Sequence, residues 1–176
     1  QITNDGNSDL QPDWVWLKDR TQAESHAVFD STRGATVRLQ PNSNTLESTE
    51  TATLKSFTTD GFTVGTSGSV NNGSNPDQYV AWQWKCNGGT TSTNTDGDIT
   101  STVQANTDAG FSIVTYTGNT SNNQTVGHGL GAKPSVILIR NRTRVESWRL
   151  NHQSINNGTG MIRLNSTDAY NTTGTT

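Results

Sequence analysis

Cysteine is almost absent from this chain of 176 residues, which carries Cys86 alone. A single cysteine excludes an intrachain disulfide, so stability must come from β packing or from oligomerisation. No histidine lies near Cys86 in the sequence, so we favour a plain free thiol over a reactive one.

Charge is also scarce: charged residues make up 15% of the chain and the net charge is −3. The lack of a basic excess argues against nucleic-acid binding. No apolar run approaches the roughly 20 residues that span a bilayer, which argues against membrane insertion, and the polar start carries no signal-peptide pattern. Because the chain opens on Gln1 without an initiator methionine, we expect a fragment of a longer polypeptide or a processed product.

The residues that are abundant are Thr, Asn, Ser and Gly. Thr suits strands, whereas Asn and Gly supply the positive φ angles of tight turns. Short segments of alternating polarity between such turns predict an all-β protein of the extracellular type. The predicted strands are 14–18, 26–30, 36–39, 54–57, 62–64, 79–85, 99–103, 111–116, one following Pro134, 147–152 and 160–164.

One pattern occurs twice: proline, any residue, an apolar run, a basic residue, Asp or Asn, and arginine. It occupies 12–20 and 134–142, an offset of 122 from position 12 to position 134. The same offset relates 24–28 to 146–150, and after a three-residue gap 38–39 corresponds to 163–164, with Asn42 and Asn165 following. An internal repeat of this kind predicts a tandem array.

We therefore predict tandem β-sandwich units, with a first unit over 1–92, a linker over 93–108 and a second unit over 109–176. Residues 93–108 lose the apolar periodicity and carry one predicted strand. The first unit lacks its N-terminal strands and the second its C-terminal strands, so either flanking sequence or neighbouring chains complete the sheets. The near-continuous apolar run after Pro134 predicts a central strand covered on both faces.

Six segments carry a family resemblance: 11–20, 29–36, 56–65, 79–85, 109–119 and 126–131. Together they resemble a repeat domain of unknown function found in large tail-fibre and virion structural proteins of tailed phages, marine ones among them. The resemblance implies a jelly-roll or concanavalin-like β-sandwich on the virion surface, in a tail fibre or head decoration. It implies partners among other virion proteins and copies of the chain itself, as a homotrimer. It implies no established chemistry, so it supplies no catalytic residue and no cofactor.

The function expected from these features is non-enzymatic, combining assembly with adhesion to a host-surface glycan. One alternative is a glycan-degrading tailspike module, which needs two carboxylates roughly 5–10 Å apart. Asp30 and Asp60 are available for that role, but nothing in the sequence pairs them. Another alternative is a bacterial surface lectin-like module with a tryptophan-lined pocket and calcium dependence.

Four tryptophans in predicted strands, Trp14, Trp16, Trp82 and Trp84, are the candidate contact residues. An indole face suits the apolar face of a pyranose ring, and its N–H reaches a hydroxyl group. Tryptophan also fills sandwich cores and subunit interfaces, and we favour that packing role over the glycan role.

No metal ion is predicted, because the three histidines lack metal-ligand spacing. A Ca²⁺ loop at Asp96 and Asp98 is the alternative to a plain Asp-Gly turn, but the later bidentate glutamate of an EF-hand is missing. His128 lies between glycines, where we predict a turn before the next strand, with Gly129 and Gly131 at positive φ.

Overall fold

The structure is a computed structural model that describes residues 1–6, 9–73 and 77–170; the predicted second unit therefore extends beyond the described residues at 171–176. Apart from one 3-10 turn at Asn156–Gly158, its regular structure is β-strand, which confirms the all-β class. No helix in the described ranges is long and apolar enough to cross a lipid bilayer.

The strands form several antiparallel sheets. In chain order they are β1 (Ile2–Thr3), β2 (Trp14–Asp19), β3 (Ala27–Asp30), β4 (Gly34–Leu39), β5 (Ser48–Thr49), β6 (Leu54–Thr58), β7 (Gly61–Val64), β8 (Tyr79–Trp84), β9 (Ser92–Asn94), β10 (Ser101–Asn106), β11 (Phe111–Tyr116), β12 (Val136–Ile139), β13 (Arg149–His152) and β14 (Ile162–Arg163). The sheet orders are β5-β4-β3-β2-β8, β1-β7-β6, β11-β10-β9 and β12-β13-β14.

The core of the first unit lies between the five-stranded sheet and the β1-β7-β6 sheet. Strand β2 alternates in burial because successive side chains of a strand point to opposite faces. Its aliphatic residues Val15 and Leu17 are buried and join a cluster with Phe29 of β3, Leu54 of β6 and Phe62 of β7. Two sheets that enclose one apolar layer are the arrangement of a β-sandwich.

The β6–β7 hairpin turns at the Asp60-Gly61 step. Thr58 pairs with Gly61, so Thr59 and Asp60 form a two-residue loop. Gly61 has φ +133°, and a Cβ there would lie 2.0 Å from the carbonyl oxygen of Ile2. Only glycine therefore lets β1 pair closely with β7 at this position.

The sequence repeat is a structural repeat. In the first unit Trp14 pairs with Asp30 and Leu17 with Ala27. In the second unit the residues 122 positions later make the equivalent pairs, Val136 with His152 and Ile139 with Arg149. The two copies of the β2–β3 hairpin therefore share one register, which confirms the predicted repeat.

The loops that follow these strands repeat as well. The Asp19 carboxylate accepts hydrogen bonds from the amides of Thr21 and Gln22, at 2.7 and 3.0 Å. Its counterpart Asn141 accepts from the amides of the next two equivalent residues, at 3.0 and 3.1 Å. Both positions form the same side-chain-to-backbone turn, for which Asp and Asn are suited.

A second contact also occurs in both units, between the matched asparagine and the matched strand that follows the first strand of the repeat. The Asn42 side chain accepts a hydrogen bond from the His26 amide at 3.0 Å. The equivalent Asn165 accepts from the Trp148 amide at 2.8 Å. The two asparagines matched in sequence therefore accept the same hydrogen bond from the backbone in both units.

Strand β12 lies at the edge of its sheet, so the prediction of a central strand covered on both faces was wrong. Val136, Ile137 and Ile139 are 50%, 44% and 37% exposed. The apolar run indicates only that the strand is suited to burial; it does not identify the element that would cover it. In the described residues β12 pairs with β13 alone, whereas its counterpart β2 lies between β3 and β8.

The segment interpreted as a linker, 93–108, contains all of β10 and most of β9, which form a sheet with β11. Ser101, Val103 and Gln104 of β10 are buried. Its predicted strand at 99–103 lies at Ser101–Asn106 instead. Apolar periodicity is lost here because polar side chains are buried through hydrogen bonds. Where one unit ends and the next begins stays a prediction.

A buried polar cluster ties β10 to the first sheet. The Asp13 carboxylate, fully buried, accepts hydrogen bonds from the amides of Cys86 and Gly88 at 2.7 and 2.9 Å. The Gln104 side-chain oxygen accepts from the amides of Asn87 and Gly89, at 3.0 and 2.9 Å. Together the two side chains satisfy the backbone of the turn that follows β8.

Ion pairs and one buried indole join the second unit to the first. Glu47 accepts two hydrogen bonds of 2.7 Å from the Arg142 guanidinium and one of 3.1 Å from Arg33. The Trp148 indole, 4% exposed, donates to the carbonyl of Gln40 at 2.8 Å. Trp148 is thus a packing residue between the units.

Candidate functional site

The four candidate tryptophans lie together on one face of the five-stranded sheet. Strands β2 and β8 pair with Trp14 opposite Trp84 and Trp16 opposite Trp82. Since the apolar alternates of β2 point into the core, the tryptophans are directed to the opposite face. The structure therefore brings all four predicted contact residues into one cluster, called here the aromatic face.

The rings of the aromatic face contact each other edge to face. The Trp14 and Trp84 ring centroids are 4.8 Å apart, and those of Trp16 and Trp82 are 6.0 Å apart. Trp14 and Trp16 are 5.7 Å apart along β2. Tilted contacts at these distances are favourable for aromatic pairs and hold each ring at a fixed angle.

Phe111 of β11 is a fifth member of the aromatic face, and it was not among the predicted site residues. Its ring is stacked on Trp84 at 6.3 Å with an interplanar angle of 25°, and is 6.4 Å from Trp14. The alternation of 111–116 predicts the strand. No sequence pattern places that strand beside β8, because the β10–β11 sheet is held to the first sheet by the buried Gln104, which donates to the hydroxyls of Ser31 and Thr32.

His26 was also missed, and it fixes the orientation of Trp16. The Trp16 Nε1–H donates a hydrogen bond of 2.8 Å to His26 Nδ1, and the two rings are 5.6 Å apart. Burial, and then the nearby positive charge of Lys18, lower the pKa of His26 below its usual 6.5. A neutral imidazole is required for Nδ1 to accept this bond.

The outer strand of the cluster is open to solvent. Trp82 and Trp84 are 44% and 43% exposed, whereas Trp14 and Trp16 are half-buried behind them. A hollow beside β8 is also lined by Asn4 and Leu10. The Gln83 amide donates to the Asn4 side chain at 3.1 Å across this hollow. Because Gln83 pairs with the core residue Val15, alternation places its side chain on the face opposite the tryptophans, so the surface that can bind a flat ligand consists of the two half-exposed rings.

A family model for a domain of unknown function (DUF7483) matches residues 3–176. The chain belongs to this family. No curated protein and no solved structure matches it in the corresponding comparisons.

In this DUF7483 member, side-chain hydrogen bonds hold the loop that carries Asp96 and Asp98. Asp98 accepts from the hydroxyl and the amide of Thr125 at 2.7 and 3.0 Å, and these bonds lower its pKa. Asp96 accepts from the side-chain Nδ2 of Asn94 at 2.8 Å. Within residues 1–6, 9–73 and 77–170, no three His, Cys, Asp or Glu side chains are grouped to hold a metal ion.

The His128 segment of the DUF7483 fold forms the predicted turn. Gly129 and Gly131 have φ angles of +72° and +68°, which confirms that interpretation. The His128 Nδ1 accepts a hydrogen bond of 3.2 Å from the Leu130 amide within the same turn. A Cβ at Gly129 would lie 3.0 Å from the side chain of Val103, so glycine also permits close packing on β10.

Cys86 is a buried structural thiol in this DUF7483 member. It donates to the Gln104 carbonyl at 2.9 Å. Burial, followed by the charge of Asp13, raises its pKa to about 11. A thiol with such a pKa is almost wholly protonated at neutral pH, so it is a poor nucleophile.

Proposed function

We propose that this chain is a non-enzymatic structural module on the surface of a tailed-phage virion, in a tail fibre or head decoration. Its aromatic face would adhere to a host-surface glycan. The observation that supports this is the pair of half-exposed indoles, Trp82 and Trp84, held at fixed angles by their neighbours. The virion setting rests on the family resemblance of the sequence.

A preformed ring surface suits carbohydrate because the apolar face of a pyranose packs on an indole. The ring contacts with Trp14, Trp16 and Phe111 restrict Trp82 and Trp84 before any ligand arrives, which lowers the entropy lost on binding. The two outer rings lie two residues apart on one strand, about 7 Å, so they can contact neighbouring parts of a glycan chain.

Adhesion through one such surface would be weak, and repeated display would strengthen it. The resemblance implies a homotrimer and other virion proteins as partners. Several linked copies convert later binding events into intramolecular ones and raise the overall affinity by about 10²–10⁴. Weak single sites and strong collective attachment suit a structural protein that is present in many copies.

The two acidic residues considered for glycan cleavage carry structural bonds, which favours binding over hydrolysis. Asp30 is buried and forms a 2.5 Å ion pair with Arg33. Asp60 accepts a hydrogen bond of 3.2 Å from the Leu10 amide. Asp30 lies opposite Trp14 in the sheet, but it is 4% exposed and held by Arg33, so it is not directed at a ligand on the outer rings. A general acid or nucleophile would need a carboxyl group directed at a bound sugar.

A glycan array followed by calorimetry on the best ligand tests the proposal. We expect Trp82→Ala and Trp84→Ala each to weaken binding at least tenfold. Tyr116→Ala is the matched control, because Tyr116 is 46% exposed but outside the cluster. Equal binding by all variants would contradict the proposal. Release of shorter sugars from the bound glycan would favour the tailspike alternative.

A further inference from the structure

The two outer rings of the aromatic face are supported unequally by their neighbours. The Trp84 ring contacts two other rings, Trp14 at 4.8 Å and Phe111 at 6.3 Å. In the described part of the chain, the Trp82 ring contacts one, Trp16 at 6.0 Å. The angle at which Trp82 faces the solvent therefore depends on the position of Trp16.

Trp16 is held in turn by His26, which precedes β3. An indole nitrogen can only donate, so the 2.8 Å bond to Nδ1 lasts only while that nitrogen keeps its lone pair. The imidazole cannot move far with the indole, because its backbone is fixed at both polar groups. The His26 amide donates to Asn42 at 3.0 Å, and the His26 carbonyl accepts from Arg38 at 3.4 Å.

The groups that surround His26 keep the imidazole neutral. Burial has the larger effect on its pKa, and the positive charge of Lys18 on β2 lowers the pKa further. On β4, Arg38 is paired with Glu50 at 2.9 Å, which balances its charge. The aromatic rings on the remaining side carry no charge. A proton is therefore added to this site only in acid.

The repeat shows that the fold does not require the pair. Leu138 and Trp148 occupy the equivalent positions in the second unit, and the hairpin there has the same register. Since leucine has no donor, the bond cannot form in that unit. The bond between Trp16 and His26 is therefore specific to the unit that carries the aromatic face.

We propose that His26 is a positioning residue for the aromatic face and makes its adhesion to a glycan sensitive to acid. Protonation replaces the Nδ1 lone pair with an N–H that is directed at the indole N–H, so Trp16 loses its hydrogen bond and Trp82 loses a fixed neighbour. Trp84 keeps both of its ring contacts, so one part of the surface loosens. The inference rests on the proposed function, because it concerns the regulation of the same surface.

Nuclear magnetic resonance of the 15N-labelled chain of 176 residues tests the coupling without any glycan. In a titration from pH 8 to pH 4.5, we expect the indole N–H signals of Trp16 and Trp82 to shift together with the ring signals of His26, at a midpoint below 6.5. The Trp84 signal is expected to shift less. Trp16→Phe keeps an aromatic ring but removes the donor, so in this variant the Trp82 signal should no longer follow His26.

Calorimetry with the glycan that the array selects tests the effect on adhesion. The wild-type affinity is expected to be constant above pH 6.5 and to fall by about fivefold or more toward pH 4.5. His26→Gln keeps a side-chain acceptor that does not titrate, so it should bind as the wild type at pH 7.5 and lack the fall. His128→Gln and His152→Gln are the matched controls, because each Nδ1 accepts an amide within its own turn, from Leu130 and Ser154. Both controls should retain the fall.

The outcomes distinguish this inference from the proposed function. A glycan that binds equally at every pH, or an acid-induced fall that His26→Gln retains, would overturn the role of His26 and leave adhesion intact. If no glycan binds, adhesion is contradicted and the magnetic resonance titration still decides the coupling. A Trp82 signal that stays fixed while His26 titrates would overturn it.

Discussion

Trp16 and His26 are joined by a hydrogen bond of 2.8 Å from the indole nitrogen to the imidazole Nδ1. The second unit has no such pair, because Leu138 and Trp148 occupy the equivalent positions. The bond therefore belongs to the aromatic face, where it holds Trp16 in contact with Trp82. Protonation of Nδ1 replaces its lone pair with a second N–H and removes the acceptor.

The stability of the first unit is expected to fall as the pH drops below 6.5. The pKa of His26 is lower in the folded chain than its usual 6.5, so the unfolded chain binds the proton first. This contribution is present in full above pH 6.5 and is lost as the pH falls toward the folded value. Urea unfolding followed by tryptophan fluorescence measures it. His26→Gln should remove this part of the pH dependence while keeping a side-chain acceptor.

Asp13→Ala is expected to lower the free energy of unfolding by about 2–5 kcal/mol, because it leaves buried amides without acceptors. The amides of Cys86 and Gly88 and the Ser31 hydroxyl all donate to this carboxylate. Denaturant unfolding measures the loss. Asp108→Ala, at an exposed position, is the control and should change stability by less than about 0.5 kcal/mol. A small effect of Asp13→Ala would mean that water replaces the carboxylate.

Cys86 is expected to resist thiol reagents in the native chain at pH 7–8. Its pKa of about 11 keeps the thiolate scarce, and burial limits access. Titration with a chromogenic disulfide should give no fast reaction until denaturant is added, and then one thiol per chain. Rapid labelling of the folded chain would contradict the structural role.

Glu47→Gln is expected to weaken the contact between the two repeat units, because one carboxylate binds both Arg142 and Arg33. Hydrogen bonds between charged groups are worth about 1.5–3 kcal/mol each, and a neutral amide keeps only part of that. Protease sensitivity of residues 140–150 is the measurement, with the exposed Asp108→Asn as control.

Acid should reproduce the effect of Glu47→Gln in the wild-type chain. Burial would raise the pKa of Glu47, but the hydrogen bonds from Arg142 and Arg33 outweigh it and lower the pKa below 4.5. The contact is therefore fully stabilising above pH 4.5 and weakens as the pH falls through the lowered value. In Glu47→Gln this acid-induced step should be absent.

The sequence predicts local structure well where one strand's own pattern decides it. The alternation at 14–18 places Trp14 and Trp16 opposite Val15 and Leu17, and the 122-residue offset predicts a hairpin that the structure repeats pair for pair. The four tryptophans were predicted as contact residues. Their assembly into one face follows from the register of β2 with β8, which sequence patterns do not specify.

The features that the sequence did not predict depend on contacts between residues that are far apart in the chain. Phe111 contacts Trp84 because Gln104 holds the sheet that carries Phe111 against the turn after β8. Residues 93–108 were interpreted as a linker because they lack apolar periodicity. Strand β10 within them is nevertheless buried, since polar side chains can be buried as well as apolar ones. The apolar run of β12 predicts a strand, but it does not predict that the strand lies at the edge of its sheet.

The register of β2 has a consequence for the order of folding during synthesis. Asp13 and Cys86, which close the β2–β8 end of the sheet, are 73 positions apart in the chain. A nascent chain therefore leaves one edge of β2 unpaired while the intervening residues are still being made. Contacts of such long range close slowly. The tryptophans beside that strand would be the last groups of the first sheet to reach their final places, so their fluorescence can time the completion of the fold.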